Sequence, residues 1–265
     1  MQKHTETKIL KTYQMDRHGL LRPIMLFNEM QAAADTHAEK FGRGRAFCND
    51  NNCAWVVTHY LVEIDQMPTE GQEIELSTWP SGCDSLRATR DFRIRDAVTG
   101  ADLVRATSQW VMIDLAARRP MRLDNFMDGW GLIPERALNR TFDKFPDFVP
   151  DVNMGVRPRY DDVDVNQHIN NAVYAIWATE ALGFGFRDTH KLFGIDINFK
   201  KEIAAGTPEI IIESRLDGGT TPRDLSRGGP GVSRHMIKSG DPSRHPSGAG
   251  AEAGTEHANV ICSWK

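Results

Sequence analysis

Residues 162–182 read DVDVNQHINNAVYAIWATEAL, a polar alternating run that gives way at Asn170–Asn171 to an apolar pattern of helical period. The alternation suits an extended segment, in which Asp164, Asn166 and His168 fall on one face. Asn170 or Asn171 is a natural N-cap for a helix running to Leu182, because its side-chain oxygen can accept an otherwise orphaned N–H of the first turn. Strand patterns follow at 193–199 (FGIDINF) and 208–216 (PEIIIESRL), with shorter ones near 234–238 and 258–264. The second half is therefore one helix followed by a run of strands.

The first half has the same plan. Residues 23–41, PIMLFNEMQAAADTHAEKF, place apolar side chains at helical spacing behind Pro23, and Gly42 ends the pattern. Period-two segments rich in β-branched and aromatic residues follow at 55–64, 73–79, 86–96 and 102–114, punctuated by Pro68, Gly71, Pro80, Gly82 and Gly100. Tyr13, Phe27 and Met30 take the places of Tyr160, Tyr174 and Trp177, and a Pro-rich bridge runs from Phe145 to Pro158. A duplicated α+β unit is expected, paired as an internal pseudo-dimer because one helix and one sheet leave too much apolar surface uncovered. The domains are expected at 1–140 and 150–265. Between Asp217 and Glu256 the chain is Gly/Ser/Pro/Arg-rich and is expected to be a flexible excursion between the last strands.

Composition narrows the class. The chain has 265 residues, 40% hydrophobic and 26% charged, which is the balance of an ordinary globular protein. A formal charge of −4 disfavours broad phosphate-backbone binding, so no nucleic-acid partner is expected. No run approaches the roughly 20 apolar residues of a membrane span, and no signal-peptide core is visible, so a cytoplasmic protein is expected. Cys48, Cys53, Cys83 and Cys262 lack C-x-x-C or zinc spacing and read as reduced thiols. Taken singly, Asp164 and Asn166 are as well explained by turn or capping roles, His168 by a structural one, and Glu202 by a solvated charge.

Taken together, the segments WVVTHYLVEID, STWP, ATSQWVMID, RRP and DVDVNQHINNAVY, in that order, resemble the acyl-acyl-carrier-protein thioesterases of plants and bacteria. The resemblance covers nearly the whole chain and fades after Asp217. It implies two tandem hotdog domains, each a long helix wrapped by an antiparallel sheet. It also implies hydrolysis of fatty acyl-carrier-protein thioesters with no cofactor and no metal. The family's reaction residues map onto Asp164, Asn166, His168 and Glu202. The helix beginning near Asn171 offers unpaired N–H groups to the oxyanion formed when water attacks the thioester. His168 or Glu202 takes the water's proton, Asn166 holds the carbonyl or the water, and Asp164 orients the network.

Several plant relatives carry a cysteine directly after the mapped glutamate. Here that residue is Ile203, which favours direct attack by water over an acyl-cysteine. In the first half the matching positions fall near Gly19, Leu21 and Met67, so one active site is expected. The first half is then free to shape the acyl pocket, with Met25, Phe27, Met30, Ala34, Trp55, Val57 and Trp79 as candidates, against plain core packing for each.

An acidic carrier protein requires a local basic face. Candidates are Arg43 and Arg45, then Arg118, Arg119 and Arg122, then Lys200 and Lys201. The rival readings are an acyl-CoA thioesterase and a non-catalytic acyl sensor. Monomer and homodimer both remain open.

Overall fold

The computed structural model describes residues 2–124, 131–217, 231–240 and 254–265. The chain divides into two compact units, Met1–Phe142 and Asp143–Lys265.

In the first unit, β1 (His4–Ile9) precedes α1 (Pro23–Lys40) and a short α2 (Arg45–Asp50), and then come β2 (Cys53–Ile64), β3 (Glu73–Cys83), β4 (Arg87–Asp96), β5 (Asp102–Asp114) and the two-residue β6 (Arg119–Pro120). The sheet order is β1-β3-β4-β5-β2, with β6 on β5, and every pairing is antiparallel. Helix α1 starts on Pro23, whose missing N–H is one the first turn does not need. Leu26, Phe27, Met30, Ala33, Ala34 and His37 form its buried stripe. Phe27 meets Tyr60 edge-on at 5.1 Å, an arrangement that aligns the ring edge with the opposing π-face. Gly42, at φ 64°, turns the chain out of the helix.

The second unit repeats the plan with β7 (Val152–Val156), α3 (Asn171–Glu180), a short α4 (Gly183–Arg187), β8 (Leu192–Phe199), β9 (Ile210–Asp217), β10 (Gly231–Ser239) and β11 (Thr255–Trp264). Its order is β8-β11-β10-β9-β7, again antiparallel. A buried polar chain crosses this sheet: Trp264 Nε1–H donates to Ser233 Oγ at 2.8 Å, and His235 bridges Ser233 and Ser214, each at 2.8 Å. Burial pulls His235 down to about 3, so the imidazole is neutral at ordinary pH.

Three expectations need correction. Pro80 and Gly82 do not end β3; the strand bulges between them and continues to Cys83, which is how a sheet accommodates a residue without an N–H. Edge strands β1 and β7 occupy stretches whose short polar alternation carried no strand signal. The strand expected near 234–238 is present and longer, as β10, and all nine of its residues lie within the Gly-rich stretch after Asp217, which is therefore not one excursion. The parts at 218–230 and 241–253 lie outside the described residues.

The stretch after β6 is anchored to the sheet face opposite α1. Arg136 Nε donates to Asp91 Oδ2 at 2.9 Å, the Ala137 N–H reaches Oδ1 at 3.3 Å, and Trp79 Nε1–H donates to the Glu135 carbonyl at 2.8 Å. Asp91 is fully buried, and burial raises its pKa against these bonds. Arg136→Met is therefore expected to destabilise the first unit by about 3 kcal/mol, the low end for a buried charge stripped of its partner. Asp91→Asn in the same chain is expected to restore most of that loss. Denaturant midpoints of the two variants against the parent measure both, and an unchanged midpoint for Arg136→Met would show the anchor to be idle.

Candidate active site

The run around His168 is not extended. Arg159 clamps the buried Asp162 carboxylate through its backbone N–H at 2.8 Å and its guanidinium at 2.6 Å. The Asp162 carbonyl then accepts the Asn170 N–H at 2.8 Å. Between these ties the chain folds back on itself: Val163 bridges Ile169, Asp164 N–H donates to the His168 carbonyl at 2.8 Å, and Gln167 N–H donates to the Asp164 carbonyl at 3.0 Å. Asp164 Oδ1 accepts the Asn166 N–H at 2.8 Å, an Asx-type contact. Gln167 sits at φ 64°, a left-handed conformation that costs a residue with a Cβ and closes the turn. Asp164, Asn166 and His168 are thus gathered by a tight turn, which replaces the one-face strand expected from their alternation.

The turn docks on the loop after β8. Ile169 N–H donates to the Ile203 carbonyl at 2.9 Å, and Ala205 N–H to the Gln167 carbonyl at 2.9 Å. This places His168 Nε2 3.3 Å from Glu202 Oε2. The Glu202 side chain is 56% exposed and that of His168 36%, while Ile203 next door is fully buried. The four mapped residues are therefore contiguous, and the residue after Glu202 faces the core.

Two further residues support this loop. Tyr174 on α3 is 2% exposed, with its hydroxyl against the Ile203 backbone, and burial together with the nearby carboxylates pushes its pKa upward. His257 Nδ1–H donates to the Lys201 carbonyl at 3.0 Å, and its Nε2 accepts from Ser239 Oγ at 2.9 Å. Burial lowers the pKa of His257, which favours this neutral form. Sequence reasoning missed His257 because it lies at the end of the Gly-rich stretch, where nothing marks it. Tyr174 carried a usable signal, as an aromatic on the helix entering from the turn.

Helix α3 offers fewer free donors than expected. Asn170 caps it, taking the Ala172 N–H on its Oδ1 at 2.9 Å and the Val173 N–H on its carbonyl at 2.9 Å. Nearest in the chain among side-chain donors is the exposed Asn166 amide, which donates to Asp164 Oδ2 at 3.4 Å.

The first unit has the same turn without the chemistry. Asp16 Oδ1 accepts the N–H groups of His18 at 2.8 Å and Leu20 at 3.1 Å, and Leu21 N–H donates to the Pro68 carbonyl at 2.8 Å. Counterparts of Asn166, His168 and Glu202 are thus His18, Leu20 and Met67, so the expected Gly19 and Leu21 are one residue out of step. The same slip affects the helices. Since α1 begins at Pro23 and α3 at Asn171, Thr12, Leu26 and Glu29 match Tyr160, Tyr174 and Trp177. An imidazole is present in the first turn, but no base or carboxylate partner stands where His168 and Glu202 do.

The candidate pocket residues separate. Trp55 and Ala34 line a cavity in the first unit. Phe27, Met30 and Val57 are core, and Met25 is half-buried. Trp79 is fully buried with Lys3 over its ring at 3.9 Å and is held by Glu135, away from the cavity. Among the basic candidates, Lys200 pairs with Glu256 at 2.5 Å and Arg122 pairs with Asp124, while Arg43 stacks on Phe47 at 4.7 Å. Arg45, Arg118, Arg119 and Lys201 are exposed. No helix among the described residues is long and apolar enough to cross a membrane.

Comparison with known proteins gives consistent matches. Residues 1–128 match the family model described as acyl-ACP thioesterase N-terminal domain, and residues 151–265 match the acyl-ACP thioesterase C-terminal domain. The chain is 29% identical over 248 residues to a chloroplastic palmitoyl-acyl carrier protein thioesterase of Arabidopsis thaliana, covering 86% of this chain and 58% of that one. It is 27% identical over 221 residues to oleoyl-acyl carrier protein thioesterase 1 of the same plant, covering 75% and 60%. The chain thus spans under two thirds of the length of these curated relatives. Among solved structures, the 12:0-ACP thioesterase from Umbellularia californica superposes with a TM-score of 0.80 at 22% identity, covering 99% of this chain and 97% of that one. An acyl-ACP thioesterase from Bacteroides thetaiotaomicron gives 0.80 at 19% identity, covering 99% and 98%. At these identities the structural likeness speaks for the fold, which is two tandem hotdog domains.

Proposed function

The chain belongs to the acyl-ACP thioesterase family, and from that premise we propose that it hydrolyses fatty acyl-acyl-carrier-protein, releasing free fatty acid and ending chain elongation. The observation that carries this reading is the contact between His168 and Glu202, 3.3 Å apart on two docked loops. With Glu202 holding Nε2–H, the imidazole presents Nδ1 as the base. Water attacks the thioester carbonyl carbon and its proton passes to His168. The Asn166 amide donates to the resulting oxyanion, and Asp164 holds the turn that aims both side chains. Collapse breaks the carbon–sulfur bond, and the departing thiolate takes the proton from His168. The products are the fatty acid and the carrier's thiol.

In this reading the second domain (150–265) supplies the reaction residues. The first (1–140) shapes the acyl pocket, with Ala34 and Trp55 lining its open space, while Phe27 and Met30 pack in the core and Trp79 is held elsewhere by Glu135. The carrier protein docks on exposed cations drawn from Arg45, Arg118, Arg119 and Lys201, and the enzyme works in the cytoplasm beside that carrier.

The test is a panel of acyl-carrier-protein thioesters beside the matched CoA thioesters, with free fatty acid measured. Turnover is expected to favour the carrier esters by at least about tenfold in kcat/KM, and that preference is expected to shrink as salt screens the docking charges. A preference for CoA esters at every salt concentration would transfer the assignment to acyl-CoA hydrolysis, and binding without turnover would make the chain an acyl sensor.

A further inference from the structure

Each unit carries a bulge at the same place in its sheet. In the first, β4 and β5 shift register between Ile94 and Arg95, which leaves Leu103 as the extra residue of β5. In the second, β10 and β11 shift between Ile237 and Lys238, and the extra residue is His257. The carbonyl of the bulge residue then receives the two N–H groups that follow the neighbouring strand. Leu103 takes those of Asp65 at 2.9 Å and Gln66 at 3.2 Å, and His257 takes those of Lys200 at 2.8 Å and Lys201 at 3.2 Å. Both side chains are buried, Leu103 at 3% and His257 at 5% exposure. The main chain alone therefore builds this turn, and a leucine at the bulge suffices for it.

What the second unit adds is an imidazole. The Lys201 carbonyl can only accept, so Nδ1 carries the proton at 3.0 Å, and Nε2 of the neutral ring accepts from Ser239 Oγ at 2.9 Å. Leucine can make neither bond. The residue after the bonded carbonyl is Glu202 here and Met67 in the first unit. The additional bond thus fixes the plane of the Lys201–Glu202 peptide in the one unit where a carboxylate follows it. Because the Glu202 side chain is more than half open to water, packing does little to aim it, and the peptide from which it springs decides where it points. A buried imidazole is also a costlier occupant than leucine until both its nitrogens are satisfied, which a bulge needed only for the fold would not require.

We propose that His257, held in its Nδ1–H form by Ser239, is a positioning residue that sets Glu202 against His168. It touches neither substrate nor reacting atoms and acts only through the loop. Its effect on rate rests on the hydrolase reading, whereas its hold on Glu202 does not.

The test is His257→Leu in the full chain, which is expected to fold because leucine is what the first unit uses at that place. For acyl-carrier-protein hydrolysis kcat is expected to fall about five- to thirtyfold, with KM within about twofold of the parent. His257→Asn, whose side-chain amide can still donate to the Lys201 carbonyl, is expected to recover part of the rate. In a Glu202→Gln background most of the loss from His257→Leu is expected to vanish, leaving about threefold or less, because the group being aimed is already gone. A residue that only packs the core would lower both backgrounds equally. In a crystal structure of His257→Leu the separation of His168 Nε2 from Glu202 Oε2 is expected to exceed about 4 Å, the reach of an ion pair. Should His257→Leu fail to fold, Ser239→Ala carries the test with the imidazole left in place, and the same pattern is expected at about threefold. The parent rate in the folded variant, equal losses in both backgrounds, or an unmoved Glu202 would each overturn the proposal. In a protein that hydrolyses no thioester the rates fall silent and the His168–Glu202 separation still decides. A lengthened contact would then leave His257 as the positioning residue while the hydrolase reading fell.

Discussion

His168→Ala is expected to lower kcat for acyl-carrier-protein hydrolysis by about 10²- to 10⁴-fold, the range of a positioned general base, with the protein still folded. The fold should survive because the imidazole is not what builds the turn. The His168 backbone pairs with Asp164, Ile169 is tied to Ile203, and Gln167 is tied to Ala205, all through main-chain atoms. Circular dichroism and the thermal midpoint should therefore match the parent, and KM should move little, since the base acts in the transition state and not in holding the acyl chain. Added imidazole is expected to restore part of the rate in the variant, because the vacated space beside Glu202 opens to solvent. Full activity in His168→Ala would remove the histidine from the mechanism, and rate loss accompanied by unfolding would demote it to a structural role.

How much of this was legible in the sequence depended on the distance over which each feature is encoded. Helix α1 could be read from Pro23, its apolar stripe and Gly42, all local signals. The same holds for β2 and β5, whose long alternation leaves little choice. The turn at Asp164 was misread because alternation of Asp, Asn and His also fits a strand, and the residue that closes the turn is Gln167 in place of glycine. Its counterpart Gly19, at φ 73°, advertises the turn openly. Setting the two halves in correct register would have transferred that signal, but the slip of one residue hid it. Pro80 misled for a related reason, since a strand-breaking residue inside a bulge has no local mark to distinguish it from one at a strand end. The meeting of His168 with Glu202 is encoded by neither residue's neighbours. It depends on β8 delivering the loop at 200–205 to the turn, and family resemblance supplied it where residue chemistry alone left Glu202 a solvated charge. The His257 support lies one step further away, at the end of the Gly-rich stretch, and has no local mark, whereas Tyr174 is marked by its place on the helix that leaves the turn.

Glu202→Gln separates the two roles that the 3.3 Å contact permits. Glutamine keeps the size of the side chain and can still accept from Nε2–H, so it preserves much of the imidazole's orientation while deleting the charge that stabilises the imidazolium. If His168 is the base, kcat is expected to fall by about tenfold to a hundredfold, less than in His168→Ala. The double variant should then be no slower than His168→Ala alone, because an orienting group has nothing left to orient. If Glu202 were the base, the ordering would reverse: Glu202→Gln would fall at least as far as His168→Ala, and added carboxylates such as formate, in place of imidazole, would rescue it. Exposure of the Glu202 side chain argues for the first outcome. A carboxylate more than half open to water is held by its own hydration shell, whereas the more sheltered imidazole can accept a proton on one nitrogen and hand it on to the leaving thiolate within one catalytic cycle. The ratio of the two single-variant rates, read beside the double variant, decides between them.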